Sequence, residues 1–386
     1  MSLFLTGATG FVGKHLLYYL LKTTEYSITI PIRGKKGESS EDRFQKEIRK
    51  ADLFKDCNLS RVTMIPKDIE SIEASDLSGV SCFIHCAAVV KFNQPLETLL
   101  RDNYESVKRV YNLCKDMKFI YISTCYTHPK YLQQAGKAVQ IEKGLPREEF
   151  ICDYAYTKYL AEQYLYEQKS EIDIIRLSCV GAPLEDLPPM RGAAHLGILE
   201  VGYRQALSDI WFPENFQFSV VPVDIVCKQL VSVIQEKHKG LKIAQYAAPS
   251  DSKTFNIQAK ELAAPIFEEM NVTYWKNITY KTFVIAMTLL YVWIPSVLEK
   301  VLDVNYIISA VSNNIVFEPS IELPNISKTH YMNLTRNYVK RFVEENPKPK
   351  KPWINFLYSW FLWIKSFVVR IFFLLIDSKT VSYQDT

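Results

Sequence analysis

From Leu3 to Leu177, short and almost unbroken apolar runs alternate with longer stretches in which apolar residues recur every three or four positions. The runs are Leu3–Thr6, Ser27–Ile32, Val62–Pro66, Cys82–Cys86, Phe119–Ser123 and Asp173–Leu177. Runs this short and this apolar predict strands covered on both faces. The periodic stretches predict helices over Gly13–Lys22, Ser40–Leu53, Leu96–Met117 and Tyr154–Gln168. Strand and helix in regular alternation predict an α/β fold built on a doubly wound parallel sheet.

The rhythm breaks over Gly181–Asn215, where Pro188-Pro189 and several glycines predict an irregular cap. It resumes with the run Phe218–Asp224, a helix to about Lys237 and a strand near Ile243–Ala248. Thr282–Ile294 is a dense apolar run, shorter than the roughly 20 residues a membrane-spanning helix needs. Lys348-Pro349-Lys350-Lys351-Pro352 reads as a basic linker. Beyond it, Trp353–Ile376 holds three tryptophans and five phenylalanines, and its only charges are Lys365 and Arg370. At about 1.5 Å per residue it is long enough to cross an apolar core of about 30 Å, or to lie along the surface. Lys365 near its centre costs about 2.5–3.5 kcal/mol on insertion, and Arg370 can snorkel. A C-terminal hydrophobic membrane helix is therefore expected, with membrane lipid as a partner.

The 386 residues, 48% of them hydrophobic, suit one large α/β domain and a smaller second unit. A net charge of +4 lacks the basic stripe of a nucleic-acid binder, so no nucleic-acid partner is expected. The eight cysteines are irregularly spaced and form no CxxC pair, which indicates neither a metal site nor a disulfide framework. They read as buried apolar groups or free thiols in a reducing compartment. The first strand begins at Leu3, so a removable signal peptide is not expected.

Thr6-Gly7-Ala8-Thr9-Gly10-Phe11-Val12-Gly13 follows that strand and opens a helix. Glycines there permit a tight turn and close backbone approach to a pyrophosphate, and the helix N-terminus offers free N–H groups to it. This is the signature of a Rossmann-type nucleotide site. A site for NAD wants an acid about 20 residues on, at the ribose hydroxyl. The second strand instead ends Ile32-Arg33-Gly34-Lys35-Lys36, with no acid and three cations. Arg33 and Lys36 can pair with a 2′-phosphate, so the expected cofactor is NADPH.

Tyr154 and Lys158 stand four apart on one helix face. An ammonium, together with the positive nicotinamide, favours the phenolate and draws the tyrosine from its usual ~10 toward working pH. Tyr154 then serves as proton donor to a carbonyl that receives hydride, and Lys158 also holds the nicotinamide ribose. The strand ahead of them ends Ile120-Tyr121-Ile122-Ser123-Thr124. Thr124 is the candidate to steady the substrate oxygen, with Ser123 as the alternative.

Together these segments resemble the extended short-chain dehydrogenase/reductase superfamily and, within it, the fatty acyl-CoA reductases. The resemblance covers about residues 3–270. It rests on the basic stretch Arg33–Phe44, on Phe83-Ile84-His85-Cys86-Ala87-Ala88-Val89-Val90-Lys91-Phe92, on Tyr121–Tyr126, on Tyr154–Glu162 and on Pro222-Val223-Asp224. It implies that Ala87 and Ala88 line the nicotinamide ribose, that Asp68 and Ile69 lie near the adenine, and that Asn103 supports the site. His85 reads as a strand-end histidine rather than a catalyst. The chain departs from the family at Leu177, where proline is usual after the arginine, and in Gly192–Gly202, which matches the family's glycine-rich cap only in part.

The resemblance implies NADPH-dependent reduction of a long-chain fatty acyl-CoA to the alcohol through the aldehyde, with release of CoA. A membrane-bound enzyme acting on a sterol or 3β-hydroxysteroid, and a non-catalytic nucleotide-binding scaffold, are the rivals. Expected units are a reductase domain over 1–240, a helical substrate region over 241–346 and the linker and tail over 347–386. A homodimer is the candidate assembly. The expected location is the endoplasmic reticulum or peroxisome membrane, with the catalytic domain facing the cytosol. The terminal Tyr383-Gln384-Asp385-Thr386 carries neither a peroxisomal SKL ending nor a KDEL-type one.

Overall fold

The apolar runs form strands in a computed structural model that describes residues 1–35, 37–90, 94–129, 137–193, 209–213, 217–258, 261, 274–278, 318–346 and 381–382. In chain order the strands are β1 (Ser2–Thr6), β2 (Ser27–Pro31), β3 (Val62–Ile65), β4 (Cys82–His85), β5 (Lys118–Thr124), β6 (Ile172–Leu177), β7 (Cys179–Gly181), β8 (Asp209–Pro213), β9 (Gln217–Pro222), β10 (Leu241–Tyr246), β11 (Asn256–Gln258), β12 (Tyr274–Ile278) and β13 (Val381–Ser382). Seven of them make one sheet in the order β10-β6-β5-β4-β1-β2-β3, every pair parallel. The order reverses between β1 and β4, so the loops after these two strands diverge and leave a crevice, where such sheets bind ligands.

Every residue of β4, β5 and β6 is buried, as continuous apolar runs require when helices cover both faces. On one face pack α1 (Phe11–Thr23) and α6 (Val223–Gln235), through Leu16, Leu20, Val226 and Leu230. On the other lie α4 (Ser106–Leu113) and α5 (Asp153–Tyr166), through Val107, Val110, Ala161 and Leu165. An aromatic ladder crosses that face. Phe4 stacks on Phe83 at 5.0 Å and Phe83 on Phe119 at 5.7 Å. His85 on Tyr121, at 6.1 Å, continues it toward the crevice.

The stretches expected as single helices are broken. Ser40–Leu53 divides into α2 (Ser40–Phe44), a wider π turn over Gln45–Arg49 and a 3₁₀ turn over Asp52–Phe54. Leu96–Met117 divides into α3 (Leu96–Leu99), a π turn over Leu100–Glu105 and α4, which stops at Leu113.

Two smaller sheets, β11-β9-β7 and β13-β12-β8, lie outside the main one. Strand β8 falls within the segment expected to be irregular, and it pairs in parallel with β12 from more than 60 residues on. A last helix, α7 (Lys328–Glu345), packs Tyr331, Val339 and Phe342 against Phe218 and Ile257 of the first small sheet. Lys36, residues 194–208 and 214–215 of the expected cap, Thr282–Ile294 and Trp353–Ile376 lie outside the described residues. Among the described residues no helix is long and apolar enough to cross a membrane.

Candidate functional site

The loop from β1 to α1 is held tight by contacts that exclude side chains. Gly7 has φ +76°, and a Cβ on it would sit 2.7 Å from the Ala87 amide nitrogen. A Cβ on Gly13 would sit 2.3 Å from the Gly7 carbonyl oxygen. Any larger residue at either position forces the loop off the end of β4 or off α1. Gly10 differs, because a Cβ there meets only the Gly7 oxygen, at 3.2 Å. Its outer side opens to solvent beside Phe11 and Val12, the first residues of α1. The Gly10 cap position offers no side-chain acceptor to the helix N–H groups. Small residues, open space and free donors together fit a pyrophosphate.

Thr6 closes the loop from below. Its hydroxyl accepts from the Ala87 amide at 3.2 Å and shares a hydrogen bond of 3.1 Å with His85 Nδ1. The other ring nitrogen, Nε2, has no partner among the described residues. Burial, helped by the nearby Lys158 ammonium, pushes His85 down to about 3. The ring is therefore neutral, part of the site's floor.

At the other end of the crevice, Arg33 is exposed and pairs with Asp68 at 3.2 Å. Asp68 also accepts from the Ile69 amide at 2.7 Å, which sets the turn carrying both expected adenine neighbours. Arg43 is buried. Its guanidinium bonds the Arg33 carbonyl and, at 3.2 Å, Thr9 Oγ1. One side chain thus ties the basic end of the crevice to the glycine loop.

The candidate catalytic residues stand on two elements, Thr124 at the end of β5 and Tyr154 and Lys158 on α5. Lys158 is buried, donates to the Ile122 carbonyl at 2.7 Å and lies 4.2 Å over the Tyr121 ring. Burial lowers it to about 7, although Cys86 and Glu162 favour its charge. Tyr154 is raised well above the usual phenol range by burial, with Cys152 and Cys86 adding to it. In the protein without cofactor desolvation is the largest effect, and the Tyr154 phenol stays protonated.

Ser123 and Thr124 face different partners. Ser123 Oγ donates to the buried Glu162 carboxylate at 2.6 Å. Thr124 has a longer bond, 3.3 Å to the Leu177 carbonyl, and accepts from the Tyr126 amide at 3.3 Å. Thr124 is the hydroxyl with the weaker hold and the one that can turn to a substrate. Asn103 clamps the loop beyond Ala87 and Ala88. It accepts from the Val89 amide at 2.8 Å and donates to the Val89 carbonyl at 3.0 Å, with its amide 3.4 Å from Thr157 on α5.

Residues 5–230 match the profile of an NAD-binding domain family described as male sterility protein. The chain belongs to that family. Fatty acyl-CoA reductase 1 of Gallus gallus is 28% identical over 225 residues, which cover 47% of this chain and 43% of the relative. The protein of the same name from Homo sapiens is 26% identical over 272 residues, covering 58% and 52%. The resemblance to fatty acyl-CoA reductases is borne out, although the chain spans about half the length of these relatives. Among solved structures, the terminal R domain of the myxalamid PKS-NRPS pathway aligns with TM-score 0.66 at 16% identity, over 89% of this chain and 90% of that one. A thiolation-reductase di-domain from an archaeal non-ribosomal peptide synthetase aligns with TM-score 0.61 at 17% identity, over 89% and 76%. These similarities show the fold.

In this male sterility family chain, three contributors to the site lie beyond what sequence reasoning singled out. Arg43 and Asp224 stand in the sequence only within resembling stretches, and the role of Arg43 appears once α2 turns it back toward Thr9. Asp224 is buried at the start of α6 and accepts from the Leu184 and Glu185 amides at 3.0 and 3.2 Å, anchoring the start of the cap. Gly192, with φ +109°, lies so close to Phe11 that a Cβ would be 2.6 Å from the Phe11 Cβ. The cap therefore touches the nucleotide loop directly. Glycine was visible at position 192, but nothing in the sequence tied it to Phe11.

Proposed function

We propose that this chain is an NADPH-dependent reductase of long-chain fatty acyl-CoA, forming the fatty alcohol through the aldehyde. What supports the reading is that Lys158 bonds the Ile122 carbonyl two residues ahead of Thr124, from a helix that also carries Tyr154, and that the glycine loop fits a dinucleotide, in a chain of this family. Thr6, Gly7, Thr9, Gly10, Phe11, Val12 and Gly13 would hold the pyrophosphate. Arg33, with Lys36, would take the 2′-phosphate, and Asp68 and Ile69 would flank the adenine. Ala87, Ala88 and Lys158 would border the nicotinamide ribose.

The cofactor, when bound, supplies hydride to the thioester carbonyl carbon. Thr124 turns its hydroxyl to the carbonyl oxygen, and Tyr154 gives that oxygen its proton. The hemithioacetal then breaks its C–S bond. Its hydroxyl proton returns to Tyr154, the thiolate leaves and takes a proton as free CoA, and the aldehyde remains in the site. Tyr154 would donate again if the aldehyde, held in the same site, took a second hydride. The apolar stretch Trp353–Ile376 would hold the protein at a membrane, where its substrate partitions.

Purified protein with NADPH and acyl-CoAs of graded length tests the reading, with products identified by gas chromatography. Cofactor oxidation matched by release of alcohol is expected. No oxidation at any chain length refutes the reading, and oxidation of a sterol in its place favours the hydroxysteroid alternative. Removal of residues 353–386 is expected to move the protein from the membrane pellet to the supernatant. Retention in the pellet refutes the anchoring role.

A further inference from the structure

Tyr154, Lys158, Glu162 and Tyr166 follow one another at four-residue intervals and share one face of α5. The first two have roles in the proposed reaction, but Glu162 has none there. Its carboxylate nevertheless accepts from Ser123 Oγ at 2.6 Å, from Arg176 Nε at 3.1 Å, from Arg176 Nη2 at 2.7 Å and from the Tyr166 hydroxyl at 2.7 Å. Both side chains of the Glu162–Arg176 pair are wholly inaccessible to solvent. Stripping two ions of water is costly, and a well-packed apolar pair of the same volume holds a helix on a sheet at least as well. The charges call for an explanation other than adhesion.

Two features supply one. The first is connectivity. Ser123, the residue Glu162 grips, lies between Ile122, whose carbonyl takes the Lys158 ammonium, and Thr124. One bond therefore fixes the segment of β5 that carries both the acceptor for Lys158 and the substrate hydroxyl. The second is sign. His85 and Cys86 face Lys158 from the end of β4, and the Tyr121 ring faces it from β5. His85 is held neutral by burial, Cys86 is pushed up to about 12 yet still favours the ammonium, and Tyr154 one turn earlier on α5 is neutral. Glu162 is the one carboxylate that acts on Lys158 among the described residues, and Arg176 and Tyr166 keep it ionised.

We propose that Glu162 is a positioning residue, which locks α5 to the Ile122–Thr124 segment and supplies the negative charge that keeps Lys158 an ammonium where it grips the cofactor. This rests on the reading that Lys158 holds the nicotinamide ribose, but not on the identity of the acyl substrate. Arg176 serves the carboxylate in turn, and Ser123 transmits its position to β5.

The test is the affinity of the full-length protein for NADPH, read by cofactor fluorescence as a function of pH, so no acyl substrate is needed. In the wild type, affinity is expected to fall above the pH at which Lys158 loses its proton. Glu162→Gln, and Glu162→Gln combined with Arg176→Gln, are expected to move that fall about one pH unit lower, close to a tenfold weaker affinity above it. Ser123→Ala keeps the ion pair and cuts the lock. It is expected to weaken NADPH binding about threefold at low pH without moving the fall. A folded Gln variant with the wild-type pH dependence overturns the charge role. If neither Gln variant folds, Ser123→Ala decides, and wild-type affinity in it overturns the proposal. A protein that binds NADPH with these shifts but oxidises none with acyl-CoA refutes the substrate reading and leaves this one standing. A wild type that binds no NADPH overturns both.

Discussion

Tyr154 and Lys158 are driven in opposite directions by the same burial, because a phenol is charged when it loses a proton and an ammonium when it keeps one. In the proposed reaction the donor is therefore ready, and the neighbour that would steady its phenolate is poised near neutrality. Tyr154→Phe removes the transferable proton and little volume. It is expected to lower kcat for acyl-CoA reduction at least about 100-fold, while NADPH affinity changes less than about threefold. Retention of more than a tenth of the wild-type rate would show that another group delivers the proton. At the far end of the crevice the expected discrimination is between NADPH and NADH. Arg33 already spends part of its charge on Asp68. Arg33→Ala is expected to weaken NADPH binding about tenfold and to leave NADH binding unchanged, as measured by competition titration. Equal losses for both cofactors would remove the 2′-phosphate from its role. Arg33 and the glycine loop were legible in the sequence because each acts within its own short segment. Arg43 and Asp224 were not. Their meaning lies in Thr9, Leu184 and Glu185, as many as 40 positions away, and no local pattern encodes those pairings.

At the scale of elements, the strands of the main sheet lie within about two residues of the apolar runs, since a strand buried on both faces has no other composition open to it. Helix interiors were less legible. An apolar residue every three or four positions fits an α-helix and one carrying a π turn alike, so the breaks at Gln45–Arg49 and Leu100–Glu105 left no trace in the pattern. The cap was legible only as a loss of rhythm. Its anchorage comes from elements distant in the chain. Tyr338 on α7 accepts from the Met190 amide at 2.7 Å and donates to the Met190 carbonyl at 3.2 Å. Arg341 on the same helix pairs with Asp186. From α1, Tyr19 donates to Glu185 at 2.6 Å. The last helix therefore holds the cap against the body, where the cap also touches Phe11. Tyr338→Phe strands both backbone groups of Met190 and is expected to cost about 1–3 kcal/mol in urea unfolding. If the cap borders the acyl chain, the same change raises KM for acyl-CoA several-fold with NADPH affinity unaltered. A loss of stability with KM unchanged would separate the cap from the substrate.

Across the whole molecule, buried titratable groups are common enough to shape the stability curve. His15 and His85 fold neutral, pushed down to about 4 and about 3 by desolvation, whereas in the unfolded chain each binds a proton below about 6.5. Between those values the unfolded chain carries the extra proton, so stability is lost as pH falls from about 6.5 toward 3. Lys158 acts in the same sense at higher pH. Native Lys158 is neutral above about 7 while its unfolded counterpart stays charged to about 10.4, so stability rises with pH above 7. The thiols oppose this. Cys82, Cys86 and Cys152 are pushed up to about 12, Cys179 to about 11, and Cys227 further still, all first by burial. Their unfolded forms ionise from about 8.5, so above that pH the native state binds the extra protons and stability falls. One lysine governs the rise and several cysteines the fall. The melting temperature of the cofactor-free protein is therefore expected to peak between about pH 7 and 8, because five thiols outweigh one lysine once about a fifth of each is ionised in the unfolded chain. Thermal unfolding followed by circular dichroism in reducing buffers tests this, with Lys158→Met expected to flatten the rise above pH 7 and leave the fall above pH 9 in place. A wild-type maximum below pH 7 would mean that Lys158 stays charged in the native protein, and that Glu162 offsets its burial more fully than the fold suggests.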